Sequence, residues 1–381
     1  MSAVRIVVLG AGFGGLELVT RLSAGLGADA DIVLIDENDA FHFGFSKLDV
    51  LVGAATAESV VNPYANIALS GVQFVQATAT SIDASARRVE TTVGAFESDI
   101  LVIAIGAQAD SSLTPGLDEG GNEFYTFAGT LAARDVLDAF TGGRVLIAVT
   151  APPFKCPPAP SEAALLVSDF LTARGLREKS SITLAEPFVA PIPPSPEGSA
   201  AVLAAFAQRD ITWRPGCGLA SVDIASSTAV FSNGESEAFD LLLAVPLHRV
   251  PTVVAESGLC ADGWVVVDQN TLRTRLENVY AIGDVAAANC PMAGAFAMHQ
   301  AAVVADQIIA EHSGSASSVA FDGSGACLME FGGGRAARVA ITGRGATGGF
   351  TSTFSGPGEE FLVDKDTFRA ATLDRWFTST P

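Results

Sequence analysis

One short stretch restricts this chain more than any other. Val4-Arg5-Ile6-Val7-Val8-Leu9 runs directly into Gly10-Ala11-Gly12-Phe13-Gly14-Gly15. The first six residues read as a buried strand. Gly10, Gly12 and Gly15 match the G-x-G-x-x-G spacing. There the first glycine permits a tight turn, the second lets the backbone approach a pyrophosphate, and the third packs helix on strand. A helix running to about Ala24 then offers unpaired N–H groups and partial positive charge to phosphates. The next strand, over residues 32–35, ends at Asp36-Glu37, where an acid holds ribose hydroxyls. Strand, turn, helix and acid together predict a dinucleotide-binding unit rather than a merely glycine-rich turn.

The plan recurs. A second strand–turn–helix–strand covers residues 144–150, 162–174 and 182–185, with Ser161 as N-cap, Gly175 just past the helix end, and Glu186-Pro187 closing the strand. Segments 72–82, 88–92 and 100–105 match 217–224, 229–231 and 241–245, and Asn233-Gly234 is a tight-turn signal. Alternating strands and helices predict an α/β chain with parallel sheets. The expected organisation is two Rossmann-like dinucleotide-binding domains plus a small C-terminal α+β region. Residues 1–113 with 253–318 form the first domain, 114–252 the second, and 319–381 the last region.

The two copies differ in their loops. In the second, Thr150-Ala151-Pro152-Pro153-Phe154-Lys155-Cys156-Pro157-Pro158-Ala159-Pro160 replaces the glycine turn. Proline has no N–H for a phosphate and cannot make the glycine turn. The second unit keeps the scaffold, loses the nucleotide loop and places a cysteine there instead.

Composition excludes several classes. Lys and Arg total 22 against 42 Asp and Glu, a formal charge of −20. That balance opposes a nucleic-acid partner and charge-driven binding to an anionic membrane. No apolar run is long enough to span a bilayer. The start shows no secretory pattern, so a cytoplasmic location is the default expectation. Five cysteines, at 156, 217, 260, 290 and 327, show no metal-ligand spacing, so no metal is expected. Cys217, Cys260 and Cys290 read as small buried hydrophobes.

Asp99-Ile100-Leu101-Val102-Ile103-Ala104-Ile105-Gly106-Ala107 and Asn278-Val279-Tyr280-Ala281-Ile282-Gly283-Asp284-Val285 resemble the A-T-G and G-D motifs of the flavin disulfide reductase superfamily. The resemblance implies FAD as cofactor, with Asp284 on its ribityl chain and the helix from Gly294 aimed at the flavin. The implied FAD set is Gly10, Gly12, Phe13, Gly14, Gly15, Asp36, Glu37, Lys47, Ala79, Ala104, Gly106, Gly283, Asp284, Gly294 and Ala295. Within that superfamily, Lys155-Cys156-Pro157-Pro158-Ala159-Pro160 and Gly325-Ala326-Cys327-Leu328-Met329-Glu330-Phe331-Gly332 look like the cysteine segments of sulfide:quinone oxidoreductases. That likeness implies an enzyme in which Cys156 and Cys327 pass electrons from a small-molecule sulfur donor through FAD to a quinone or similar acceptor. The chain departs from these relatives in lacking a cysteine over 120–139 and in carrying Met292 where many have a lysine. Its only terminal anchor candidate is 366–378. The apolar residues Phe368, Leu373, Trp376 and Phe377 there either pack on the body or make a weak peripheral contact with the inner membrane face.

Further polar candidates are fewer. Lys47 is expected beside the flavin, in place of the lysine absent at Met292. His248, next to Arg249 in the return to the first domain, is a candidate proton shuttle. His299 is expected to cap or pack, and His42 and His312 carry no role. The alternatives are an NAD(P)H-dependent flavin oxidoreductase resembling type II NADH dehydrogenases and a non-catalytic flavin-binding module.

Overall fold

The computed structural model describes residues 3–344 and 349–377. Two five-stranded parallel sheets carry the repeat. The first has the order Val279–Ala281, Ile100–Ile103, Val4–Leu9, Ala30–Asp36, Val72–Gln76; the second has Asn122–Glu123, Leu241–Val245, Gly143–Val149, Ser180–Glu186, Ile211–Pro215. The first sheet takes its edge strand from beyond the second, so the first unit is discontinuous in sequence. Each sheet is interrupted in sequence by a three-stranded antiparallel ribbon, residues 79–97 and 219–238, before the chain returns to it at Ile100–Ile103 and Leu241–Val245. A third antiparallel sheet joins Gly325–Gly332, Arg335–Arg344 and Phe350–Gly358.

Local sequence explains the central helices. Phe13–Leu26 buries Leu16, Val19, Leu22 and Leu26 at helical spacing. It lies close against Gly294–His312 because Gly25 has no side chain: a Cβ there would stand 2.3 Å from Ile309. Ala159–Ala173 starts earlier than its sequence suggests. Pro158 is its N-cap and Pro160 lies in the first turn, where a missing N–H costs nothing. Ser161 is therefore a buried helical residue, not the cap. Gly175 adopts φ 68° just after the helix, as expected.

Segment 72–82 is two strands in different sheets, not one. The Ala77 N–H bonds Asp36 O at 2.8 Å and ends the parallel pairing; Thr78 then pairs with Thr92 in the ribbon. The C-terminal helix, Glu359–Phe377, packs on the body: Trp376 is fully buried, and Lys365 bonds Glu330 at 2.6 Å and Glu162 at 3.2 Å. Thr378 lies outside the described residues. Among those described, no helix is long and apolar enough to cross a membrane.

Gln108–Asp110 pairs antiparallel with Leu247–Arg249, and Arg249 Nε bonds Asp110 at 2.6 Å. This two-strand link sets the first unit against the second and closes the cavity between them.

Candidate functional site

A cavity of about 1360 Å³ lies where the C-terminal ends of both sheets, the proline loop and the third sheet meet. Drug-sized ligands occupy roughly 300–1,000 Å³, so this one suits something larger. Its wall includes Gly10, Gly12, Phe13, Gly14, Asp36, Glu37, Lys47, Ala104, Gly106, Gly283, Asp284, Gly294, Ala295, Cys156 and Cys327. The fold thus collects most of the sequence-expected set in one place. Gly15 lies behind the wall, where a Cβ would stand 1.8 Å from Gly10 O, which is the helix-packing role expected of it. Ala79 sits on the ribbon and His248 in the link, and neither lines the cavity.

The glycine turn divides its tasks by geometry. Gly10 has φ 101° and a Cβ would fall 2.4 Å from Ala104 O, so the fold itself requires glycine. At Gly12 no atom lies within 4 Å of the Cβ position. Nothing in the protein needs glycine there; the space is left free on the cavity side, as close approach of a phosphate demands. Asp36 Oδ2 accepts from Ala11 N at 2.7 Å, and the phenol of buried Tyr64 donates to Ala11 O at 2.9 Å. These two bonds brace the turn from either side. Asp284 faces the same cavity. Burial raises its pKa, while Lys155 and Lys47 pull it back.

Cys156 and Cys327 are both free thiols on this wall. Cys156 adopts φ 51°, and its N–H bonds Met292 O at 2.6 Å. Cys327 is in the middle of the first strand of the third sheet, paired with Val339. Burial pushes the Cys156 thiol up, with the neighbouring Cys327 and Glu162 adding to it, and burial with Glu162 pushes Cys327 up to about 12. Glu162 lies on the helix that follows Cys156 and also lines the cavity. Burial raises its pKa against the pull of Lys365.

Lys47 is half-buried and donates to Tyr125 O; loss of solvent and then Lys155 lower it to about 8. His248 departs from expectation. Its Nδ1 is 2.9 Å from Pro246 O, its ring packs edge-on against Tyr125 at 5.3 Å, and its Nε2 is buried without a partner. Burial, then the charge of Lys155, lowers its pKa to about 3. The ring is buried and does not reach the cavity wall, where the proton-shuttle expectation would place it. His42, by contrast, lines the cavity and stacks on Phe127 with centroids 3.8 Å apart, although its sequence carried no sign of a role. His299 behaves as expected, bonding Ser324 O at 3.1 Å. Lys155, Tyr125 and Glu162 are also cavity residues that sequence reasoning did not single out.

These features define a two-unit, dinucleotide-binding oxidoreductase fold. The model of the pyridine nucleotide-disulphide oxidoreductase family matches residues 4–149 and 167–305, and the chain belongs to that family. FAD is the family's cofactor, and the braced glycine turn, the free space at Gly12 and the inward Asp284 fit it. The two matched stretches leave out 150–166, which carries Cys156, and stop before Cys327.

The solved structure of the sulfide:quinone oxidoreductase from Aquifex aeolicus superposes with a TM-score of 0.86 at 23% identity, covering 98% of this chain and 92% of that one. NDH2 from Plasmodium falciparum, solved with NADH, gives 0.61 at 16% identity over 74% of this chain and 64% of that one. The type II NADH:quinone oxidoreductase of Staphylococcus saprophyticus is 34% identical over 118 residues, 30% of this chain. The matched region spans only 29% of that relative's length.

Proposed function

We propose that this protein oxidises a small sulfur donor, sulfide or a thiol, through Cys156 and Cys327, and passes the electrons through FAD to a quinone or similar acceptor. One observation carries the reading: two thiols 171 residues apart in sequence (327 − 156) line the same cavity as the glycine turn and Asp284, and both lie outside the segments common to the family. When bound, FAD takes up two electrons from the sulfurs and gives them to the acceptor. The chain supplies the rest. In the oxidised state the two cysteines form a disulfide; a donor thiolate attacks it, making a mixed disulfide with one cysteine and freeing the other as thiolate. A second donor thiolate releases the product. In net terms two donor thiols become a disulfide, two electrons pass to FAD and two protons are released. Burial pushes both thiols up, and Glu162 is the cavity carboxylate whose charge bears on both, the group available to take a proton from them.

The resemblance to type II NADH:quinone oxidoreductases favours a second reading, with NAD(P)H as donor. The proline loop opposes it, and so does Glu186. At the end of the second unit's second strand this acid is 1% exposed and bonded to Trp213 Nε1 at 2.7 Å, so it is not open to a ribose. Anaerobic bleaching of the FAD-loaded protein separates the readings. Sulfide is expected to bleach the flavin; saturable bleaching by NADH and none by sulfide would replace the first reading with the second.

A further inference from the structure

Two ammonium groups meet on one part of the cavity wall. Lys47 comes from the helix Ser46–Leu51, and Lys155 immediately precedes Cys156 in the proline loop. Lys47 uses one N–H on Tyr125 O. Lys155 makes no hydrogen bond or ion pair among the described residues. The carboxylates around them are mostly committed. Glu123 accepts from Tyr125 N at 2.6 Å, Thr126 N at 2.9 Å and the Thr126 hydroxyl. Asp110 is held by Arg249, Asp36 by Ala11 N and Asn38, and Glu162 by Lys365 and Glu330 N. Asp284 is left to face both lysines. Asp284 and Glu123 offset the two charges at a distance, yet neither carboxylate bonds an ammonium, so Lys155 is left without a hydrogen-bond partner among the described residues. Enclosing like charges is costly unless an anion sits with them. The two lysines already show that cost, since burial pushes both below the ordinary lysine range.

We propose that Lys155 and Lys47 form a subsite for a small sulfur anion, of the hydrosulfide or thiosulfate class, held next to Cys156. The proposal rests on the sulfur-donor reading above and narrows the donor to one that enters as an anion. An unpartnered ammonium adjoining the reacting sulfur recruits such a species by charge-assisted hydrogen bonding, while its neighbour on Tyr125 keeps two N–H groups free.

The test is equilibrium binding of thiosulfate to the FAD-loaded protein, read by perturbation of the flavin absorption against chloride of equal ionic strength. Lys155→Met is expected to weaken binding by about tenfold or more, and Lys155→Arg to keep it within about threefold. Lys179→Met removes a distant exposed charge and is expected to leave binding unchanged. Cys156→Ser is expected to bind thiosulfate while losing sulfur-driven reduction. Binding to that variant with its reduction rate intact would sink the cysteine relay and leave the subsite standing. Wild-type protein with no saturable thiosulfate binding overturns the subsite. So does Lys155→Met with full FAD and wild-type affinity. A Lys155→Met protein whose flavin midpoint potential moves while thiosulfate affinity stays constant assigns the charge to the ring and also overturns it. If Lys155→Met fails to hold FAD, Lys155→Gln is judged by the same outcomes.

Discussion

Nε1 of Trp376 donates a 3.0 Å hydrogen bond to Oε2 of Glu17, joining the C-terminal helix to the helix that follows the glycine turn. The Glu17 carboxylate is 2% exposed and also receives Arg375 and, at 2.7 Å, Arg21. The indole packs edge-on against Phe13 at 5.8 Å and Phe41 at 5.5 Å, two residues of the cavity wall. The C-terminal helix therefore backs this part of the cavity wall.

Trp376→Ala removes that backing. A buried tryptophan truncated to alanine typically costs about 3–5 kcal/mol. The melting temperature is expected to fall and FAD retention with it. Trp376→Phe, which keeps the ring packing and loses the bond to Glu17, is expected to lie between. Calorimetry with and without added FAD checks both.

The glycine turn gives a sharper contrast. Gly10→Ala forces a Cβ to 2.4 Å from Ala104 O at φ 101°, so it is expected to impair folding itself. At Gly12 an added Cβ has no non-neighbouring protein atom within 4 Å, so Gly12→Val is expected to fold normally yet purify without flavin. Asp284→Ala is expected to weaken FAD retention more than Glu37→Ala, since Glu37 is exposed at the rim. Flavin-to-protein absorbance ratios with melting curves decide; yellow Gly12→Val protein would contradict the assignment of the turn.

His248 predicts a pH effect on stability. Its folded pKa of about 3 lies below the ordinary 6.5. Between those values the unfolded chain binds a proton that the folded one refuses, so stability falls as pH drops from 6.5 towards 3. The limiting slope is about 1.4 kcal/mol per pH unit. His248→Phe, which cannot be protonated, is expected to flatten that part of the curve. Urea unfolding from pH 7 to 4 measures it, and parallel curves for the two proteins would contradict the neutral buried assignment.

What was readable in advance follows from what is local. Gly10, Gly12, Asp36 and Gly175 were legible because backbone angle and close approach restrict residue type at a single position. The repeat was legible because two sheets that share the order of four of their five strands need the same spacing of apolar runs. Ser161 misled because capping preference was weighed without the tolerance of a first turn for Pro160. Lys155 went unweighed because a lysine in a proline-rich loop reads as solvated; only the folding of that loop over the cavity encloses it. His42 and Glu162 escaped for the same reason. Their neighbours, Phe127 and Lys365, come from distant parts of the chain.

Nicotinamide should be a poor donor. With prolines in place of the second glycine turn and Glu186 bonded to Trp213, NADH and NADPH are expected to reduce the flavin slowly and without saturation at micromolar concentration. Rapid, saturable reduction in stopped flow would promote the second reading.

The central claim is that Cys156 and Cys327 relay electrons. The most direct measurement is the anaerobic rate of flavin reduction by sulfide in Cys156→Ser and Cys327→Ser, with melting temperature and FAD content taken on the same samples. Cys217→Ser and Cys260→Ser serve as controls from outside the cavity wall. The relay predicts full FAD, a near-unchanged melting temperature and a loss of rate by orders of magnitude in each of the first two variants, with the controls near wild type. Unchanged rates in Cys156→Ser and Cys327→Ser would contradict it.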